Sequence, residues 1–568
     1  MKKINLTALL LIVLLGGFFR FWKLSDRPVS LSIDEVAIGY NTYSILKTGR
    51  DEWGEFLPLA FRSIGDYKPP LLEYLMLPAI GVFGLTEFGT RFTVALVSTL
   101  TLIFVFLLLK EMTKNQTVAL WGSFSLAISP WHIQYSRMTH EAVVALFLVI
   151  VAVWLFIKSL RDKKKLYWLS AIFFALSLYT YHTERFFTPL FVSGLAIIFF
   201  REMLRKENRK RVLVAVGVGL FLSLAFLKIM LGPKGSTRAT NAFIDRDVEI
   251  NYQLHKNYEK LSPLQKIFDN NQLMIFNFWT KRYLNYFDLP YLFFNGLKLS
   301  IPRAPQVGLL HLFELPFFLI GLWQFFIKKR FARNKDIYRF IVFWLLLSPL
   351  AASLANNEQH PARSLVFIPI PQLIVGIGFY AVLEKIKLVS YFKRMAALLI
   401  ITFVVVISLI YYLDIYHFHY PINFSEYCSY GMKEVALYAW SRQKDYKEIV
   451  IDPTFGADGP FTIGTPQLYI YFYGRYDPSL LQKDPLHGKG PDKDSSDFLN
   501  FSFRPIYWPK DRYAKETLFI GSPWSLPKED LKGAKILKTI PFKNGATGFV
   551  VVESKEERPG DIKQPKIK

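Results

Sequence analysis

Cysteine is nearly absent. Cys428 is the single one in 568 residues, so no intramolecular disulfide can form and no multi-cysteine metal site exists. Acidic residues are also scarce: 45 Asp and Glu stand against 69 Lys and Arg, a formal net charge of +24. The chain shows no internal repeat of fixed period and no long low-complexity tract. What it has in quantity is apolar. Hydrophobic residues make up 52% and aromatic residues 17%, a balance unlike a soluble protein and typical of a polytopic membrane protein. The positive charge raises a nucleic-acid partner as a class. However, the basic residues cluster in short loops between apolar runs, where orientation in a bilayer accounts for them, so no nucleic-acid partner is expected.

A bilayer core takes about 20 apolar residues per helix. Eleven candidate spans satisfy or approach this: 5–22, 88–109, 117–134, 140–158, 166–181, 186–200, 212–231, 307–327, 337–355, 364–383 and 395–413. The first, in LTALLLIVLLGGFFRFW, lacks a small-residue cleavage site and reads as a retained signal anchor. Eleven crossings put the amino terminus in the cytoplasm and the tail outside. The loop charges agree: the inner loops carry Lys110 and Lys114, clusters at 158–165, 201–211 and 328–335, and Lys385, Lys387, Lys393 and Arg394, whereas the short outer loops hold only Arg137, Arg185 and Arg363. The expected architecture is an α-helical polytopic membrane protein of about 11 transmembrane helices. Residues 1–414 form its membrane domain, with long outer loops at 23–87 and 232–306. Residues 415–568 form a small extracytoplasmic α/β domain.

In that domain EIVIDPT, QLYIYFYG, ETLFIGS and ATGFVVVE read as strands and MKEVALYAWSRQ as a helix. The apolar piece 68–84 is short for a span, and Pro69-Pro70 suits a helix start, so it is expected to lie along the interface or re-enter. The second long loop is expected to cover the site or guide an acceptor.

The chemistry concentrates on the outer side. The first outer loop carries the adjacent carboxylates Asp34 and Glu35. The short loops repeat one set of groups: Arg137, His140 and Glu141 in SPWHIQYSRMTHE, His182, Glu184 and Arg185 in YTYHTERFF, and Glu358, His360 and Arg363 in NNEQHPARS. Ionisable groups at membrane depth are costly and usually paired or functional. Arg137, His140 and Glu141 stand at i, i+3 and i+4, which on a helix is one side.

Carboxylates with Arg and His at an outer membrane rim suit transfer of a sugar from a lipid phosphate. Cations there neutralise the leaving group and a carboxylate takes the acceptor's proton. Asp34 is the candidate base, with Glu35 or Glu141 orienting the acceptor. Lys68, Arg137, Arg185 and Arg363 are candidates for the phosphate, and His140, His182 and His360 for substrate contact. Asp34 as a helix cap, Lys68 as a snorkelling side chain and Arg91 as an interfacial anchor are the plainer alternatives. Tyr40, Trp53, Tyr67, Trp131 and Tyr135 suit either sugar stacking or an aromatic belt. The mixture of Glu141, His140 and His182 permits a divalent cation without any fixed ligand spacing.

The order of DE in the first outer loop, the later KPPL, FG…RF entering the second span, SP…YSR before an acidic residue, and YHTERF…P resembles the polyprenyl-phosphate-sugar-dependent glycosyltransferases of family 39 type. Protein O-mannosyltransferases and lipid A aminoarabinose transferases belong to this type. The resemblance covers about residues 1 to 200 and, loosely, 340 to 385. It implies the GT-C class of fold, a polyprenyl-phosphate sugar donor, an inverting displacement at the anomeric carbon and a catalytic base in the first loop, which falls on Asp34, with Glu35 in the second acidic place. A bound metal has been associated with the group. The acceptor it implies is a lipid, a glycan or a protein, at the outer face of a prokaryotic plasma membrane. A lipid-linked glycan transporter or polymerase-type protein, and a non-enzymatic receptor, are the competing classes. Paired repeats with broken midplane spans, the usual mark of a transporter, are not found.

Overall fold

The computed structural model describes residues 3–63, 65–161, 166–231, 270–297, 306–330, 334–354, 359–456, 461–462, 465–485, 487 and 497–554. It divides into two compact units. One comprises Met1–Trp22, Pro69–Leu72 and Val94–Ile415; the other comprises Lys23–Lys68, Glu73–Thr93 and Tyr416–Lys568.

The first unit is built from helices. Those used below are α1 (Lys3–Phe21), α2 (Ile33–Thr48), α3 (Leu71–Phe83), α4 (Glu87–Thr113), α5 (Gln116–Ile128), α6 (Pro130–Ser136), α7 (Glu141–Arg161), α8 (Tyr167–Ser177), α9 (Glu184–Ile198), α10 (Lys206–Leu231), α11 (Lys335–Ser353), α12 (Ile370–Ile386) and α13 (Tyr391–Asp414), of which α2, α3 from Glu73 onward and α4 up to Thr93 belong to the second unit. Each of the eleven apolar stretches foreseen in the sequence contains helix among its described residues. Six, Glu87–Thr113, Glu141–Arg161, Lys206–Lys228, Lys335–Ser353, Leu365–Ile386 and Tyr391–Asn423, are long and apolar enough to cross a membrane. Leu6–Phe21, Gln116–Ile128, Tyr167–Ser177 and Leu312–Ile327 are shorter apolar helices, as is α3, the piece expected to lie along the interface.

Lipid offers no hydrophobic drive for one helix to leave it for another, so close packing there depends on small side chains. The α5–α12 crossing shows this. A Cβ on Gly376 would fall 2.6 Å from the Val118 carbonyl oxygen, and one on Gly122 3.1 Å from that of Gln372.

The second unit joins the stretch between α1 and α4 to the tail around one apolar core. Leu31, Val36, Ala37, Tyr40, Ile80 and Leu85 share it with Met432, Val435, Ile449, Tyr469, Phe472, Leu518, Ile520 and Val551. The tail begins at Tyr416, one residue from the expected 414/415 boundary, but Lys23–Lys68 and Glu73–Thr93 go with it rather than with the helices, because the apolar face of α2 is buried by residues of the tail. Gly39 of α2 marks the closest approach, since a Cβ there would meet the Phe472 ring at 2.8 Å.

The tail is α/β, as expected. Its sheet has the order β6-β3-β7-β9-β8, with β3 (Glu448–Ile451) parallel to β6 (Phe501–Ser502) and β7 (Thr517–Gly521), and β9 (Thr547–Ser554) antiparallel to β7 and β8 (Ala534–Pro541). A small hairpin pairs β1 (Phe61–Ser63) with β2 (Asp66–Lys68), and a second pairs β4 (Thr454–Phe455) with β5 (Phe461–Thr462). The helix expected at MKEVALYAWSRQ is α14 (Met432–Ser441).

QLYIYFYG, expected as a strand, is the helix α15 (Pro466–Gly474), with Pro at its first turn. Leu468 to Phe472 are buried without interruption, so the run lacks the alternation that separates strand from helix. Most of the loop 232–306 lies outside the described residues, and so does Glu358.

Candidate active site

The acidic pair opens α2. Ser32 caps the helix: its hydroxyl accepts the Glu35 N–H at 3.3 Å while the Ser32 N–H donates to Glu35 Oε2 at 3.0 Å, a reciprocal capping box. The two neighbours then part company. Glu35 is 1% exposed and forms a buried ion pair with Arg91, whose Nε lies 2.9 Å and Nη2 3.3 Å from its two oxygens. The same guanidinium donates to the carbonyls of Leu24 (3.1 Å), Pro28 (2.9 Å) and Ser30 (2.6 Å). Asp34 turns outward: its side chain is 66% exposed and is paired with the Lys68 ammonium. Lys68 is delivered by the β1–β2 hairpin, in which it pairs with Phe61.

Behind the pair, Asn41 ties α2 to the returning chain, donating to Glu52 at 3.0 Å and accepting the Glu52 N–H at 3.0 Å. Gly49, at φ +70°, ends the helix and donates back to Ile45.

In the helical unit three short turns meet, those of residues 129–141, 178–183 and 359–364. Trp131 Nε1 donates to the Pro361 carbonyl at 2.9 Å, and Tyr135 bonds the Ala362 backbone. The His140 ring stands edge-on to Tyr135 and to Tyr181, 5.3 Å from each centroid. His140 Nδ1 accepts the Ala142 N–H at 3.2 Å and lies 3.8 Å from the Glu141 carboxylate. Just past the second turn, at the start of α9, Arg185 is half-buried over the Phe226 ring, 5.7 Å away, and its N–H donates to the His182 carbonyl at 3.2 Å. In the third, the His360 N–H donates to the Tyr286 hydroxyl at 3.1 Å, and the Arg363 N–H donates to the His360 carbonyl at 3.1 Å. His140, His182, Arg185, His360 and Arg363 are thus carried on adjoining turns and remain partly exposed.

Several expectations change. Arg137, His140 and Glu141 do not share a helix side: α6 ends at Ser136, Arg137 is its C-cap and α7 begins at Glu141. Arg137 is fully buried, with its guanidinium donating to the carbonyls of Phe19 and Trp22, both at 2.7 Å. There it neutralises the carboxyl end of α1, where unpaired carbonyls gather negative potential.

Asp34 is not the helix cap, because Ser32 takes that place. Arg91 is not an interfacial anchor but the internal partner of Glu35. Tyr40 and Trp131 are fully buried, and Trp53 has the Arg62 guanidinium at 4.0 Å and the His487 ring at 4.2 Å. None of these three presents an open face to a sugar. Among the described residues no group of three or more His, Cys, Asp and Glu is placed to hold a metal ion. No chemistry below passes through a metal ion.

Sequence reasoning missed Arg20. It is fully buried, donating to Gly16, Ala127 and Leu126 carbonyls and lying 2.6 Å from His132 Nδ1. The available signal was its place four residues after Gly16 inside an apolar run, where an arginine needs internal partners.

A bundle of apolar helices, six of them among the described residues long and apolar enough to cross a membrane, whose charged turns gather at helix ends, is the architecture of a multi-pass membrane protein. The comparisons bear on its fold and its relatives. Residues 67–228 match the model of the family described as dolichyl-phosphate-mannose-protein mannosyltransferase. The chain is similar to an uncharacterised protein of Aquifex aeolicus, 29% identical over 154 residues, 27% of this chain and 30% of that one. It is also similar to YkcB of Bacillus subtilis, provisionally named a mannosyltransferase, 26% identical over 182 residues, 31% of this chain and 24% of that one. It thus spans less than a third of the length of these curated relatives.

Among solved structures, ArnT of Cupriavidus metallidurans bound to undecaprenyl phosphate is 11% identical with a TM-score of 0.51, covering 97% of this chain and 98% of that one. The same protein in its apo state gives 0.53, at 11% identity over 95% and 97%. The Archaeoglobus fulgidus oligosaccharyltransferase tethered to an acceptor peptide gives 0.50 at 12%, over 83% and 63%. These structures show the fold, and with the family model they bear out the resemblance drawn from the sequence.

Proposed function

We propose that this protein is a membrane glycosyltransferase that moves a sugar from a polyprenyl-phosphate donor to an acceptor hydroxyl or amine at the outer face of the membrane, with inversion at the anomeric carbon. Its amino terminus is cytoplasmic and its α/β portion extracytoplasmic. The observation that carries the reading is the division of labour at the start of α2. Glu35 is spent on an internal ion pair, whereas Asp34 is held on a capped helix turn with its carboxylate exposed beside a lysine.

A general base must reach the proton it removes, and of the two only Asp34 is open to an acceptor. Glu35 is a positioning residue rather than a second catalytic one. The acceptor's oxygen or nitrogen attacks the anomeric carbon as its proton passes to Asp34, the glycosidic bond breaks, and its electron pair leaves on the donor phosphate. Growing charge on that phosphate calls for cations, a role assigned to Lys68, Arg185 and Arg363. Arg137 is left out because its guanidinium is committed to α1. His140, His182 and His360 are assigned to substrate contacts, and Glu141 to orienting the acceptor.

The test is the glycolipid and surface-glycan profile of cells lacking the protein, complemented with the wild type or with Arg185→Gln and Arg363→Gln together. The reading predicts one sugar-bearing species that disappears in the deletion, returns with the wild type and fails to return with the double variant. An unchanged profile in the deletion strain contradicts it.

A further inference from the structure

The strap of residues 24–32 leads into the acidic turn, and four of its carbonyls, those of Leu24, Pro28, Ser30 and Leu31, are held by side chains from elsewhere in the same unit. Arg91 takes those of Leu24, Pro28 and Ser30. The fourth, Leu31, lies just before the Ser32 cap and so has no place in the helix ladder. It accepts the Tyr469 hydroxyl at 3.1 Å, with the Ser30 hydroxyl at 3.4 Å. Tyr469 sits in α15 and is fully buried. Its hydroxyl is also bonded by the Ser429 side chain, and the Ser429 carbonyl accepts the Ser30 hydroxyl at 3.3 Å. Ser429 holds a left-handed backbone, φ +54°, that a non-glycine residue adopts only where its surroundings enforce it. The acidic turn is therefore clasped between residues 429 and 469 of the tail, some 400 positions along the chain from it.

We infer that Tyr469 is a positioning residue for Asp34, fixing the Leu31 carbonyl and through it the direction in which the α2 amino terminus presents its carboxylate. This rests on the reading of Asp34 as the base and gives the α/β portion a part in the reaction: it completes the scaffold on which the base stands. Burial drives the Tyr469 hydroxyl well above its usual titration range, so it remains a proton donor throughout the working pH range. Displacing a reacting group by about 1 Å costs on the order of 100-fold in rate, so the loss of one such tether is expected to show in turnover while donor affinity stays the same.

The test compares full-length wild type, Tyr469→Phe and Asp34→Asn in lipid nanodiscs by two readouts: amide hydrogen exchange over residues 31–36, and sugar transfer from a polyprenyl-phosphate sugar. Phe keeps the ring in the core, so the unfolding midpoint is expected to stay within a few degrees of wild type. Exchange over 31–36 is expected to rise selectively, and kcat to fall roughly 10- to 100-fold at unchanged donor KM. Unchanged exchange with unchanged kcat overturns the positioning role. If exchange rises but Asp34→Asn turns over like wild type, the strap is held as described and the base assignment fails instead. Should Tyr469→Phe not fold, Ser429→Ala removes the other hydroxyl of the clasp and is expected to raise the same exchange; no rise overturns the inference.

Discussion

Buried arginines in the two units are neutralised by different means. In the unit that carries the acidic turn, Arg91 meets a carboxylate and three carbonyls. In the helical unit, Arg20 and Arg137 are satisfied largely by the last carbonyls of α5 and α1. The first arrangement fixes a strap and a helix start, so it bears on where Asp34 points. The second clamps helix ends, so it bears on how the bundle packs. Neither leaves a guanidinium for substrate. The lesson is that in a membrane protein a charged motif is weighed by what its side chain is already bonded to, and the partly exposed Lys68, Arg185 and Arg363 are the better phosphate candidates.

The comparison can be broken by removing each clamp. Arg91→Met leaves Glu35 as an uncompensated buried charge, and loss of one partner of such a pair costs about 3–5 kcal/mol. A fall of that size in denaturant stability, with loss of activity, is expected, and Glu35→Gln with Arg91→Met together should recover part of it. Arg137→Gln strands helix-end carbonyls that cost about 1–3 kcal/mol when unpaired. It should lower stability by that amount while leaving donor KM unchanged, whereas Arg185→Gln or Arg363→Gln should raise donor KM with little effect on stability. A rise in donor KM for Arg137→Gln alone would reverse the assignment.

The smallest effect concerns Cys428. Burial, with the Glu35 carboxylate adding to it, raises its thiol pKa, so the reactive thiolate is scarcer than in an open thiol at any given pH. A membrane-impermeant maleimide is expected to label it in intact cells slowly, with a rate still climbing at pH values where a free thiol has levelled off. Labelling only after lysis would put the tail inside and overturn the orientation.

Much of the fold was legible because hydrophobic run length is a strong signal. Every apolar stretch from 5–22 to 395–413 contains a helix, although 117–134 is broken at Ser129 and 307–327 turns helical only from Leu312. EIVI, TLFIG and TGFVVVES pair as strands because their β-branched and aromatic residues suit a pleated surface. QLYIYFYG misled because a run buried on every side has no period to read. β8 was overlooked because AKILKTIP is largely exposed and carries two lysines.

At the site, the gathering of three turns was foreseen from their shared residue types, but of the residues that join them Trp131 and Tyr135 read as sugar-stacking or belt aromatics and Tyr181 carried no signal of its own. The split between Asp34 and Glu35 was invisible, since it depends on Arg91, more than fifty positions away. Arg137 was overrated because a spacing of three and four implies a shared side only where the helix is unbroken.

The central claim is that of two adjacent carboxylates one reacts and the other braces. Single-turnover transfer from a polyprenyl-phosphate sugar by Asp34→Asn and by Glu35→Gln, each with donor binding measured in the same preparation, tests it most directly. The account predicts that Asp34→Asn binds donor normally and loses about 10²- to 10⁴-fold in transfer, while Glu35→Gln loses stability first and retains transfer in whatever fraction remains folded. Full transfer by Asp34→Asn, or a folded Glu35→Gln protein that binds donor and transfers nothing, would contradict it.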